Sequence, residues 1–307
     1  MTAHVLPAER PLLTDVYDPS LPPVLTVEPG DTVTVHTLDA RGYLQRPRLP
    51  DGAGERVFPT HRGHCLAGPI AVAGARPGDV LAVTLRSLRT DGWGWTATGA
   101  PTPLNRRLGV RRDELLLWEV DDAAGTAVNQ LGIEVDTAPF LGVVGTTPAQ
   151  PGEHSTIPPR PGCGGNVDCR SLVAGSTLFL PVHVDGALLC VGDGHAAQGD
   201  GEVCGTAIEC GMTTELHLDL VAAPALASVH ATTPHERITF GFDADLTAAT
   251  DAALADVVTW IAAEFGVGFE TALTLASTAV DLRITQVVND TWGVHALWPH
   301  GALRRRG

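Results

Sequence analysis

Residues 176–191 read STLFLPVHVDGALLCV, two apolar runs on either side of Asp185-Gly186. Leu, Val and Phe at this density favour strands, and Asp-Gly is a turn signal. The stretch therefore predicts a strand, a turn and a second strand. The same device occurs twice upstream. VLTVEPGDTVTVHTLDA (24–40) breaks at Pro29-Gly30-Asp31, and AVAGARPGDVLAVTLRSL (71–88) breaks at Pro77-Gly78-Asp79. Pro presets φ and Gly accepts positive φ, so each PGD reads as a turn between strands. The expected fold class is mainly β (α+β), with recurring hairpins in a sandwich or barrel-like arrangement and no repeat of fixed period.

Helix enters late. In TAATDAALADVVTWIAAEFG (247–266), Leu254, Val257, Val258, Ile261 and Phe265 share one helical face. Thr247 or Thr250 can cap this helix and Gly266 can end it. GFETALTLAS reads as a second, shorter helix, and VDLRITQVVND returns to strand. This is a small C-terminal helical addition packed on a sheet. Residues 1–307 read as one unit, with a division into a β-rich core at 1–220 and an α+β part at 221–307 as the alternative. The segments 89–113 and 145–175, rich in Gly, Pro and Thr, read as long loops that shape a site.

Composition narrows the chemistry. The formal net charge is −15, which argues against a nucleic-acid partner. The sequence contains no lysine, and all 20 of its basic residues are arginine. A Walker A phosphate loop, a Schiff-base enzyme, a Ser–Lys amidase and a nitrilase-type Glu–Lys–Cys amidase all need that lysine. The six cysteines, at 65, 163, 169, 190, 204 and 210, form no CxxC pair, so a zinc ribbon is not expected. There is no apolar signal segment at the N-terminus and no long apolar span. The expectation is a cytoplasmic protein with reduced thiols and no membrane partner.

The second strand of the opening stretch runs into GDGHAAQGDGEV (192–203), where acids and a histidine alternate with glycines. Asp193 and His195 stand at i, i+2, which places both on one strand face. Asp200 and Glu202 repeat the spacing. If the two arms pair, three carboxylates and an imidazole gather, a ligand set suited to Zn²⁺, Mn²⁺ or Fe²⁺. The plainer reading is a hairpin turning at Asp200-Gly201. His61 and His64 precede an apolar strand at i, i+3. In GCGGNVDCR (162–170), Asn166 can donate to a developing oxyanion, and Asn166 and Asp168 fall on one strand face. Asp39 ends a strand, where an Asp ordinarily caps a turn. Glu209 follows GTAI and needs a partner if buried, a site residue or an arginine such as Arg170.

At these residues the chain resembles the acetamidase/formamidase family. GGNVDCRSLVAGSTLFLPVHVDGALLCVGDGHAAQGDGEVCGTAIE (164–209) is similar to the family's core. HCLAGPIAVAGARPGDVLAVTL is similar to its HPLTGP…GAxPGDVL segment, LTVEPGDTVTVHTLDA to its N-terminal strand pair ending in Asp, and DLRITQVVN to its C-terminal strand. The similarity runs from about residue 20 to 298, with a diverged middle at 89–140. Cys65 stands where the family often has Pro. The resemblance implies hydrolysis of a small aliphatic amide, formamide or acetamide, to carboxylate and ammonia. It also implies a divalent metal (zinc first, calcium or another divalent ion next) and homo-oligomers, dimers or higher. Roles carried over give His64, Asp193, His195 and Asp39 to the metal. Glu202, Asp200 and Asn166 go to catalysis, with Asp168, Gln198 and Glu209 toward the substrate. Two other readings stand beside it: a cupin-like metal oxygenase or isomerase, and a non-catalytic small-ligand-binding β protein. The first lacks the expected H-x-H pair, and the second leaves the acids around His195 without a purpose.

Overall fold

Each of the three turns forms where the sequence places it. The computed structural model describes residues 2–49, 51–60, 62–98 and 102–306; His61, one of the candidate histidines, lies outside the described residues. At Glu28–Asp31 the Asp31 N–H donates to the Glu28 carbonyl at 3.0 Å, and Asp31 Oδ2 accepts from the Glu28 N–H at 3.1 Å. Arg76–Asp79 repeats the pair at 3.0 and 2.8 Å. Gly30 and Gly78 hold φ of 89° and 98°, a region a side chain disfavours.

What the turns connect differs from expectation, because none closes a hairpin. Two large sheets face each other, of nine and eleven strands. Leu25–Val27 and Leu66–Val72 belong to the eleven-stranded sheet, while Asp31–Thr37 and Val80–Thr90 belong to the nine-stranded one. Thr177–Pro181 lies in the nine-stranded sheet and Leu189–His195 in the other. Each turn is therefore a corner that carries the chain from sheet to sheet, and the arms pair with more distant strands. Both sheets are open, with no closed barrel among the described residues.

Two corners grip one another. Val80–Thr90 pairs antiparallel with Thr177–Pro181, Val83 opposite Leu178. Leu66–Val72 pairs antiparallel with Leu189–His195, Ile70 opposite Leu189. Between these ladders the turns bond directly: Gly78 N–H to Val182 O at 3.0 Å, Val182 N–H to Asp79 O at 2.9 Å, Val72 N–H to Gly186 O at 2.9 Å and Gly186 N–H to Ala75 O at 3.0 Å.

The main core fills the space between the sheets. Val33, Val83, Leu85, Leu180 and Leu216 enter it from one side, and Ile70, Leu141, Leu189 and Val191 from the other. Asp31–Thr37 alternates buried and half-buried positions, as a strand with one face inward should. Leu66–Val72, Phe140–Gly145 and Leu189–His195 are buried at every position. These three strands are covered on both faces, which is why the first two read as unbroken apolar runs and the third is apolar up to Asp193.

The helix Leu246–Phe265 packs on Glu236–Asp243 and Trp292–Pro299. By length and hydropathy it is apolar enough to cross a membrane, which corrects the reading of no long apolar span; here its apolar face is spent on the sheet. Asp245, rather than Thr247 or Thr250, caps it, accepting from the Thr247 and Ala248 N–H groups. Gly266 ends it at φ 58°, and the second helix spans Phe269–Ala276. Within the first loop-like segment, Trp93–Ala97 is a strand and Pro103–Leu108 a helix, so 89–113 is more ordered than its composition suggests.

Asp31 also ties the edge strand Ala3–Leu6, which lies parallel to Asp31–Thr37. Its carboxylate accepts from His4 Nε2 at 3.0 Å and from the Thr2 N–H at 2.5 Å. The His4 hydrogen bond, then the Thr2 N–H, holds its pKa at about 2 against an ordinary 3.8. A depressed acid stabilises the fold above its unfolded value and loses that contribution as pH falls through the folded one. Asp31→Ala should therefore lower Tm at pH 6, and the gap from the parent should narrow between pH 4 and pH 2. A gap unchanged across that window, followed by circular dichroism, would count against the tie.

Candidate active site

Leu189–His195 runs through the middle of the eleven-stranded sheet, and its end carries Asp193 and His195. The flanking glycines are there for space. A Cβ at Gly192 would lie 2.7 Å from the Cys65 carbonyl oxygen, and one at Gly194 would lie 2.6 Å from that of Cys210. The expected pairing of two flexible arms is not what forms. His195 sits opposite Phe140 on one side and Glu209 on the other, within antiparallel ladders. Glu209, read as needing a partner, finds it in His195, whereas Arg170 lies elsewhere.

Five titratable side chains converge: Asp168, Asp193, His195, Glu202 and Glu209, each 6% exposed or less. His195 Nε2 lies 3.3 Å from Glu209 Oε2 and 3.5 Å from Asp193 Oδ1. His64 Nε2 reaches within 3.9 Å of Asp193 Oδ2, and its ring is oriented by Thr156 Oγ1, 3.3 Å from Nδ1. Potential ligand atoms of Asp168, Asp193 and His195 lie within 4.8 Å of one another, as do those of His195, Glu202 and Glu209. Both Asp168 carboxylate oxygens, Asp193 Oδ1, Glu202 Oε2 and Glu209 Oε2 lack a hydrogen-bond partner. Four buried acids near two imidazoles, with orphaned oxygens in two groups that share His195, are a donor set that fits a bound cation.

Electrostatics set these groups apart. Burial, and then the Asp193 charge, push the Asp168 pKa well above the carboxylate range. Burial and Asp168 do the same to Glu202. Burial raises Glu209 to about 7 despite the opposing pull of His195. Burial would also raise Asp193, but the His64 and His195 imidazoles outweigh it and hold that carboxyl low. Burial disfavours a charged His195, and the Glu209 and Asp193 carboxylates more than offset this. The backbone is arranged to match. Asp168, Asp193 and Glu202 have positive φ of 50°, 58° and 45°, a left-handed conformation that costs about 1–3 kcal/mol for a residue with a side chain.

The other candidates sort by position. Asp39 is buried, but its oxygens accept from the Arg41 and Tyr43 N–H groups at 2.9 and 3.2 Å, so it caps its turn and stands outside the cluster. Asp200 also stands outside, 3.4 Å from Arg283 Nη1. The 192–203 acids thus separate, because Gly201 is drawn to Gln286 and Val287 of the C-terminal strand region. Asn166 donates from Nδ2 to the Ile157 carbonyl at 2.9 Å and keeps Oδ1 unpartnered. Gln198 donates to the Asp168 carbonyl at 2.7 Å, holding the segment that carries that acid. Cys65 is buried, and burial pushes its thiol pKa well above the ordinary value.

A cleft of about 180 Å³ opens onto the cluster, lined by His64, Asn166, Asp193, Glu202 and Glu209 together with Arg41 and Trp95. It falls below the roughly 300–1,000 Å³ of drug-sized sites. A larger neighbouring pocket of about 410 Å³ holds Arg170, Gln198 and Asp200 and shares only the Glu202 and Thr206 wall.

The family model of the acetamidase/formamidase family matches residues 4–155 and 151–297. The chain belongs to this family. It is 28% identical to the acetamidase of Mycolicibacterium smegmatis over 67% of this chain and 65% of that one. It is 27% identical to the formamidase of Methylophilus methylotrophus, over 67% and 63%. The matches thus span under two thirds of those relatives' lengths. The acetamidase structure from Bacillus halodurans superposes with a TM-score of 0.84 at 26% identity, covering 96% of this chain and 97% of that one.

One residue of the site escaped the sequence reading. Gly142 lies mid-strand in FLGVVG, and a Cβ there would meet Asp193 Oδ2 at 2.6 Å, His195 Cε1 at 2.7 Å and Asp168 Oδ1 at 2.8 Å. A glycine inside an apolar strand signals close approach by another group, and that signal was present. Gly142→Ala should cost about 1–3 kcal/mol by overpacking and splay the acids apart. A variant with unchanged Tm and unchanged site behaviour would show that the wall tolerates the methyl group.

Proposed function

We propose that the protein hydrolyses a small aliphatic amide, formamide or acetamide, to its carboxylate and ammonia. The observation that carries this reading is the set of buried, unpartnered carboxylates on the wall of a cleft sized for a few heavy atoms, in a chain of this family. Relatives bearing the names acetamidase and formamidase support it.

Amides resist water because the carbonyl is resonance-stabilised and the nitrogen leaves poorly. The cleft answers with position and protons. Asn166 Oδ1 is free to accept from the substrate NH₂, and the Ile157 carbonyl holds the Asn166 side chain in place through Nδ2. Asp168, Asp193 and His195 would hold a divalent cation, zinc by preference for such a nitrogen and oxygen set. Such an ion supplies Lewis acidity that polarises a carbonyl and acidifies water. Glu202 then remains as the proton carrier. In its ionised form, which a cation in the site would favour, its carboxylate takes the proton released as water oxygen bonds the carbonyl carbon, and returns it to nitrogen as the C–N bond breaks. Asp193 and Glu209, 3.5 and 3.3 Å from His195 Nε2, fix the imidazole in orientation, and the ring would be neutral when it holds the ion.

Ammonia release from formamide, acetamide and propionamide tests the reading. Turnover should vanish on chelation and return with added metal. Glu202→Gln should lower kcat by about 10²- to 10⁴-fold with the fold intact. His195→Ala should abolish activity and leave the circular dichroism spectrum unchanged. No ammonia from any of the three amides would overturn the proposal, and turnover surviving the chelator would remove the metal from it.

A further inference from the structure

The acids occupy part of the cleft wall; Arg41 and Trp95 occupy another part. The Arg41 guanidinium carbon lies 4.3 Å from the Trp95 ring centroid, stacked over its face. Trp95 is 1% exposed and cannot swing away, and it is packed edge-on against Tyr43. The turn that carries Arg41 is fixed by Asp39, which accepts from the N–H groups of Arg41 and Tyr43. The guanidinium is thus held before anything binds.

Stacking uses the flat face of the guanidinium and leaves its N–H donors free in the plane. Other arginines spend theirs on carboxylates: Arg46, Arg62, Arg76, Arg86, Arg237 and Arg283 are all in ion pairs. Arg41 has no such pair among the described residues, and it is the one arginine on the wall of this cleft. A countercharge for the site acids would sit against one of them, and the imidazoles of His64 and His195 already do so. The planar fork of an arginine matches a carboxylate with two parallel hydrogen bonds. The cleft is also lined by Ile157 and Val288, apolar side chains that suit a short methylene spacer.

We infer that Arg41, stacked on Trp95, binds a carboxylate at the far end of the substrate, so that the amide hydrolysed is the monoamide of a short dicarboxylic acid. This rests on the amide-hydrolase reading and moves its preferred substrate from formamide or acetamide to a longer, anionic amide. The reaction balances as before: water oxygen joins the amide carbon, the C–N bond breaks, the water proton passes to nitrogen, and a dicarboxylate and ammonia result. The distal carboxylate is unchanged and serves only to anchor.

The test compares malonamate with its methyl ester, which keeps the amide and removes the charge, and with acetamide, by ammonia release. The parent protein should show the higher kcat/KM on malonamate than on the ester. Arg41→Met should lower kcat/KM for malonamate about 10- to 100-fold more than for acetamide, mostly through KM. Arg41→Lys should fall between, since an ammonium keeps the charge and loses the fork. Equal losses on both substrates, or a parent that favours the ester, would overturn the assignment. The parent comparison alone decides the matter if the variants do not fold. Should no amide release ammonia, the hydrolase reading fails separately. The anchor is then tested by the Tm shift that malonamate, and not its ester, should produce; equal shifts would reject it.

Discussion

The mutual grip of two sheet-crossing corners is the interaction on which the rest of the structure depends. A chain that leaves one sheet for another takes its turn amides away from any ladder, and buried amides without partners are costly. Here the corner at 72–80 and the corner at 181–189 satisfy each other with four backbone hydrogen bonds. Their arms then pair in both sheets at once, Val80–Thr90 with Thr177–Pro181 and Leu66–Val72 with Leu189–His195. The second of these pairings buries Leu189–His195 on both faces. Its last residues therefore end inside the protein, where His195 is fully buried.

That position explains both the cost and the use of the site. Gathering Asp168, Asp193, Glu202 and Glu209 out of water is unfavourable, and three of the four acids also sit on left-handed backbone. A flexible loop would relax away from such an arrangement. Ladder partners on both sides of His195, and the Gln198 bond to the Asp168 carbonyl, prevent it. The orphaned oxygens that result are the groups on which the proposed cation binding and proton transfer rest. The same rigidity extends to the cleft mouth, where the Asp39 turn and the buried Trp95 hold Arg41.

Much of this was legible in the residues. The PGD and Asp-Gly turns, the apolar runs and the late helix all appear where their local chemistry places them. Asp193 and His195 share a face because a strand has period two, and their side chains do meet. The hairpins were misread because a turn signal states that the chain reverses or bends and says nothing of which strand will lie alongside. Asp200 and Glu202 have the same spacing as Asp193 and His195, yet only Glu202 joins the cluster. Their segment is not a strand: Gly201 is held by the distant Gln286 bridge, and Asp200 turns outward to Arg283.

By itself the sequence determined the strands, their bends, the absence of lysine chemistry and the pair at 193 and 195, since each follows from neighbours a few residues apart. Only the tertiary structure decided that the bends are sheet-to-sheet corners and that Glu209 lies across from His195. It alone placed Gly142 to leave room for the acids and Arg41 beside them. Those facts join residues from about 40 to 210 along the chain. They depend on which buried backbone groups find partners, a condition that the whole fold satisfies together and no local pattern records.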